Sequence, residues 1–232
     1  MRYILTMILM LPLMLQAQPY LISGGKDLVV HSVAAQILQK AYTKAGLQMK
    51  VLYLPFEESL QRADSGQTDG DLARIGTIIR KYPNLRRIPA DIIEIQAVAF
   101  SKNTSLNIKK WSDLTGHTLT IVKGIKFIEE GTKDLKRQVV LSVPEAIEAL
   151  KNDKSEVIVI PRLTGLSINA KIQGSTIKPV SHHLQTLLLY HYVNKKNTHL
   201  IPIITPILKA MKQSGEIDYM LRSHLRKTTR QN

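Results

Sequence analysis

The residues of this chain best suited to hold a charged small molecule fall in a few short stretches: Phe56-Glu57-Glu58, Arg74, Arg80, Lys123-Gly124 and Arg162. A guanidinium is a planar fork of donors that matches the two oxygens of a carboxylate. Glycine after a strand lets a ligand approach backbone N–H groups, and the turn that follows can present them to an oxygen. Glu57 or Glu58 can take a cationic group, or simply favour the first turn of a helix. Phe56 reads either as a cleft wall or as core. Arg162 follows the apolar run EVIVI and Pro161, where it can offer positive charge to an anion or face water at the start of a helix. Covalent and metal chemistry have no such support. The chain has no cysteine and none of the G-x-S-x-G, P-loop, dinucleotide or H-E-x-x-H patterns. Adjacent histidines such as His182 and His183 rarely chelate one ion. We therefore expect no catalytic residue, no metal and no cofactor.

The elements that must position these residues are legible in part. Residues 54–75 read LPFEESLQRADSGQTDGDLARI. That is a strand end, a helix over 57–63, a stop at Ser65-Gly66 and a second strand opening at Asp69-Gly70-Asp71. A strand–helix–strand unit this compact belongs to an α/β layer, in which ligands bind at the carboxyl ends of strands. Upstream, a strand at 20–23 precedes a helix in which Val33, Ile37, Leu38, Ala41 and Tyr42 keep helical spacing up to Gly46. Residues 81–89, KYPNLRRIP, read as turn chemistry, and 92–100 as a long strand leaving the first unit. Further strands are expected at 118–122, 156–160 and 185–193. Ser142, Pro144 and Glu145 give a capped helix start. Trp111 is expected to pack the start of a short helical turn. Two terminal helices follow, at about 198–213 and 216–225; Pro206 should kink or delay the first.

Composition narrows the partners. Arg2, the apolar run 4–15 and the small residue Ala17 read as a secretory signal peptide over 1–17. The apolar run is too short to span a bilayer comfortably, so stable membrane insertion is not expected and the mature chain is placed in the periplasm. The net charge of +14 would suggest nucleic acid in a cytosolic protein, but export removes that partner, and the basic residues are scattered with few aromatics between them. With 44% hydrophobic residues and no disulfide, stability must come from buried apolar surface.

In wording and spacing the chain resembles the family 3 periplasmic solute-binding proteins. Pro55, Ser65-Gly66, Asp69-Gly70 and Arg74 carry the resemblance in the first half; Asp113-Leu114-Thr115-Gly116, Gly124 and Gly215 carry it in the second. The resemblance implies an α/β, two-lobed type II fold with two hinge-crossing segments and C-terminal helices. Lobe 1 would comprise 18–97 plus 190–232, and lobe 2 would comprise 98–189. It implies a monomer that closes on a small solute and hands it to an ABC transporter permease or informs a membrane sensor. Arg74 would pair with a ligand carboxylate, with Arg80 its rival. Phe56, Glu57, Lys123, Gly124 and Arg162 would complete the site. Two departures bear on the ligand. Pro161-Arg162 stands where the family usually has an acid for the ligand's amino group, and Ile125 stands where it has Ser or Thr. An anionic or zwitterionic solute is therefore expected. Some proteins of this fold are periplasmic dehydratases, so the alternative is an enzyme acting on prephenate-like acids through Glu57 or Glu58.

Overall fold

The computed structural model describes residues 18–26, 28–171 and 176–230. The expected signal peptide lies outside them. Two parallel α/β units share one sheet. In the first, β1 (Tyr20–Gly25), α1 (Val29–Lys44), β2 (Met49–Leu54), α2 (Phe56–Ser65) and β3 (Gly70–Ile75) alternate, with β1 parallel to both β2 and β3. A 3-10 turn, Gly76–Arg80, leads to β4 (Leu85–Ser101). In the second unit, a 3-10 turn at Trp111–Leu114 precedes β5 (Leu119–Val122), α3 (Lys126–Gly131), β6 (Arg137–Val140), α4 (Val143–Lys151), β7 (Val157–Pro161) and α5 (Arg162–Lys171). The short β8 (Lys178–Pro179) pairs with β4, and β9 (Gln185–Asn194) leads back to α6 (Leu200–Gln213) and α7 (Glu216–Arg230). The strand order is β2-β1-β3-β9-β4-β7-β5-β6. Among the described residues only strands β4 and β9 join the two units, and both run antiparallel to their neighbours. The hinge positions expected near 97 and 190 fall within these two strands.

Local chemistry explains most boundaries. Gly66 ends α2 in the left-handed conformation, at φ 79°. The Ser142 side chain accepts from the Glu145 N–H at 3.3 Å, while Glu145 takes the Leu141 N–H at 3.1 Å, so the expected cap is formed. Two boundaries differ from expectation. Strand β4 begins at Leu85, inside the stretch read as turn, because Leu85, Ile88 and Ala90 are buried and residues 85–87 register with Asn194, Val193 and Tyr192 of β9. Helix α6 runs from Leu200 straight through Pro206. The missing N–H costs one helical bond, and burial of Leu200, Ile204, Leu208 and Met211 offsets it. Trp111 packs across Gly131 at the end of α3, so close that a Cβ there would lie 2.4 Å from the indole.

Candidate functional site

The carboxyl ends of β1, β2 and β3 face those of β5 and β7, and the two units touch there. Gly124 follows β5 with φ 87° and lies flat against the start of α2: a Cβ on it would come within 2.5 Å of Phe56 Cβ and 2.7 Å of the Glu57 nitrogen. Phe56 is itself buried, its ring so close to Gly25 that a Cβ there would lie 1.9 Å away. Beneath this contact remains a cavity of only about 30 Å³, lined by His31, Phe56, Arg74, Gly124, Ile125 and Phe127 among others. Outside it, between the 3-10 turn after β3 and α3, lies a wider cleft of about 570 Å³.

Glu57 bridges the two units. Its carboxylate accepts from Lys81 Nζ at 3.0 Å and Tyr82 Oη at 2.8 Å on its own side, and from Lys126 Nζ on the other. Burial alone would raise the Glu57 carboxyl, but hydrogen bonds from Lys126, Tyr82 and Lys81 outweigh it and hold it down to about 2. Lys126 also meets Glu129 at 2.9 Å, and the other Glu129 oxygen accepts from the Gly124 N–H at 2.6 Å. The backbone donor expected to await a ligand is thus already bonded to the protein's own carboxylate.

Arg74 is 6% exposed and makes a two-pronged pair with Asp71, Nε to Oδ1 at 2.7 Å and Nη2 to Oδ2 at 3.1 Å. Nη2 also donates to Ser59 Oγ at 3.0 Å and to the Phe56 carbonyl at 3.3 Å. The fork expected to face a ligand carboxylate is occupied by Asp71. Only Nη1 has no hydrogen-bond partner among the described residues. Next to it, His31 Nδ1 accepts from the Gly25 N–H at 2.7 Å, so the proton sits on Nε2, 3.1 Å from the Ala73 carbonyl. Burial above all, then the Arg74 charge, lowers the His31 pKa to about 4.

The structure therefore brings Phe56, Glu57, Arg74 and Gly124 together. It does not bring in the other two expected residues. The Lys123 side chain is exposed, while its backbone N–H bonds the Val140 carbonyl at 2.8 Å. Arg162 is exposed at the start of α5, and neither cavity includes it. Sequence reasoning missed Lys126 and Glu129, although their i, i+3 spacing after Gly124 was a signal for an ion pair on α3. It also missed Tyr82. Arg80, Lys81, Lys126, Lys133 and Arg137 line the outer cleft or its edge, with Glu57, Glu129 and Glu130 as the acids among them, five cations against three carboxylates. Lys133 is paired with Glu130 at 2.8 Å. Arg80 is exposed and has no ion pair among the described residues.

No known family profile matches the chain. A protein of Shewanella oneidensis described as uncharacterized is 26% identical over 190 residues, which is 78% of this chain and 72% of that one. Among solved structures, a mutant of ArgBP from T. maritima superposes with a TM-score of 0.77 at 18% identity, over 90% of this chain and 95% of that one. A histidine kinase sensor domain with similarity to periplasmic binding proteins superposes at 0.76 with 13% identity, covering 90% and 96%. The chain has the two-lobed α/β fold of the periplasmic binding proteins.

Proposed function

We propose that this protein binds a small anionic or zwitterionic solute between its lobes and does not transform it. The observation that carries the reading is Arg80, a cation without an ion pair among the described residues, on the wall of a cleft with more positive than negative groups. Arg74, Phe56 and Gly124 line the small inner cavity beneath that cleft, which a solute would reach only once Lys126 leaves Glu57. Lys123 and Arg162 lie outside both as surface charges. A buried or half-buried charge-assisted contact contributes about 1.5–3 kcal/mol. The geometry favours binding over acid–base catalysis. A general acid or base works best with a pKa near the working pH, and Glu57 is held at about 2 while tied to Lys126. Glu58 lies on the helix surface, bonded to Arg62 at 2.6 Å. On this reading the chain is exported by its N-terminal segment, works as a monomer in the periplasm, and passes its solute or signal to an ABC transporter permease or a membrane sensor. No helix of the described residues is long and apolar enough to cross a membrane.

A thermal-shift screen of dicarboxylates, amino acids and small oligopeptides tests the site. A ligand at about 100 times its Kd adds roughly 2.7 kcal/mol to the folded state. The best hit is expected to be an acid, and Arg80→Ala is expected to weaken it about 10- to 150-fold. A cationic best hit, or unchanged binding in Arg80→Ala, refutes the proposal. Turnover of prephenate-like acids that disappears in Glu57→Gln would establish the enzyme instead.

A further inference from the structure

A second surface lies outside the cleft. Residues 79–89, IRKYPNLRRIP, hold four cations and no acid. Ile79, Pro83, Arg86, Arg87 and Pro89 border a groove of about 560 Å³ over Leu85. Ile79 is 49% exposed, although its neighbour Ile78 is buried. Arg86 folds over its own turn through Nη1, to the carbonyls of Pro83 at 2.7 Å and Leu85 at 3.0 Å. Arg87 stacks its guanidinium 4.7 Å from the centre of the Tyr190 ring. Neither arginine has an ion pair among the described residues. The nearby acids are engaged elsewhere: Asp64 with Asn84, Asp91 with Lys212, and Glu94 with Gln96.

The backbone adds an independent observation. Over residues 85–96, β4 pairs with β9 on one side, and its partner on the other side, β7, begins only at Ala97; β8 continues the β9 side at Phe100. Beside the groove the second edge of β4 thus carries no strand among the described residues. Open strand edges are templates for an added strand. Pro89 removes one donor from this edge, so a guest would draw the rest of its affinity from side chains.

We propose that this groove receives an extended acidic segment of a partner protein, which lies along β4 near residues 85–89. Alternate side chains of such a strand face opposite sides. Carboxylates of such a strand would meet Arg87 on one face and Arg86, the preceding residue of β4, on the other, and small apolar side chains would rest on the exposed Ile79 and Pro83. A concave groove bordered by two prolines suits a strand better than a lipid surface, which calls for a protruding apolar patch.

The probe is a fluorescein-labelled nonapeptide alternating glutamate and valine, titrated by anisotropy at about 150 mM salt, where unspecific long-range attraction is screened. Saturable binding is expected. Arg86→Ser with Arg87→Ser should weaken it by about tenfold or more, the scale of losing charge-assisted contacts. Because Arg87 also packs on Tyr190, the single variant Ile79→Glu is a second reading and should weaken binding similarly. Lys136→Ser with Lys154→Ser removes the same charge from another exposed surface and should leave the affinity within about twofold. The thermal shift given by a cleft ligand should survive in Arg86→Ser, which separates this groove from the solute site. No saturable binding, an equal loss in the Lys136 and Lys154 variant, or binding to phosphatidylglycerol vesicles without binding to the peptide would each overturn the proposal.

Discussion

At the scale of single residues, the pair Asp71–Arg74 sets the character of the inner cleft. Both side chains are buried, and each satisfies the other with help from Ser59 and the Phe56 carbonyl. Removing one partner strands the other charge away from water. Asp71→Ala is therefore expected to destabilise the fold by about 3–5 kcal/mol in urea unfolding. Arg74→Ala should behave alike, so a loss of solute binding in it would not isolate a ligand contact, whereas Arg80→Ala would. The buried histidines predict the response to acid. His191 shares its ring nitrogens with the Asp71 carbonyl at 2.9 Å and Tyr42 Oη at 3.0 Å, and burial lowers its pKa, like that of His31, to about 4. Their folded pKa values lie below the unfolded 6.5. Stability is then full above about pH 6.5 and falls as pH drops toward 4, by up to ~3 kcal/mol for each ring. Calorimetry should show the melting temperature sliding through this window, and His191→Gln should flatten the slope.

At the scale of elements, the decisive device is α3. It is short, yet it carries Lys126 to Glu57 on the facing lobe and Glu129 to the Gly124 N–H. The Glu57 carboxyl is depressed below its ordinary value, so this link holds above about pH 4.5 and is lost only as pH falls toward 2. Lys126→Ala should open the lobes at neutral pH, read as a larger radius of gyration by small-angle scattering; an unchanged radius would show that apolar contact alone holds them together. How far such features can be read from sequence depends on their range. The Ser142 cap and the Gly66 stop were legible because a helix end is decided by neighbours in the chain. The start of β4 was not, since Leu85 and Ile88 gain their reason to extend from β9, a hundred residues away in sequence. The Arg74 assignment met the same obstacle. The types Arg, Asp and Ser were visible at 74, 71 and 59, but nothing local said that the carboxylate would turn inward and take the fork.

At the scale of the whole molecule, the fold follows from two α/β units tied by two long antiparallel strands; the alternation of strand and helix pointed to the α/β class, and the resemblance to the solute-binding family implied the two lobes. The inner cavity was beyond that reach. In this structure Phe56, Ile125 and Phe127 leave about 30 Å³ there, while the charged space lies nearer the surface, about 570 Å³ between the 3-10 turn and α3. A solute therefore has two routes to a site. It can settle in the outer cleft with the lobes as they are, or it can separate Lys126 from Glu57 and reach Arg74 below. Small-angle scattering with and without the best thermal-shift hit distinguishes them, since only the second changes the overall dimensions.

The packing of Trp111 on Gly131 has a practical bearing. This chain has a single tryptophan and no cysteine. The indole rests on the same helix whose other end grips Glu57, so any movement of that helix changes the surroundings of the only strong intrinsic fluorophore. If release of Lys126 from Glu57 shifts α3 against Trp111, the emission of the unlabelled protein is expected to change with it. A lone cysteine introduced at an exposed position of α1, such as Gln36, would accept a dye that reads the separation of the lobes as its distance from Trp111, with no native thiol to compete for the label.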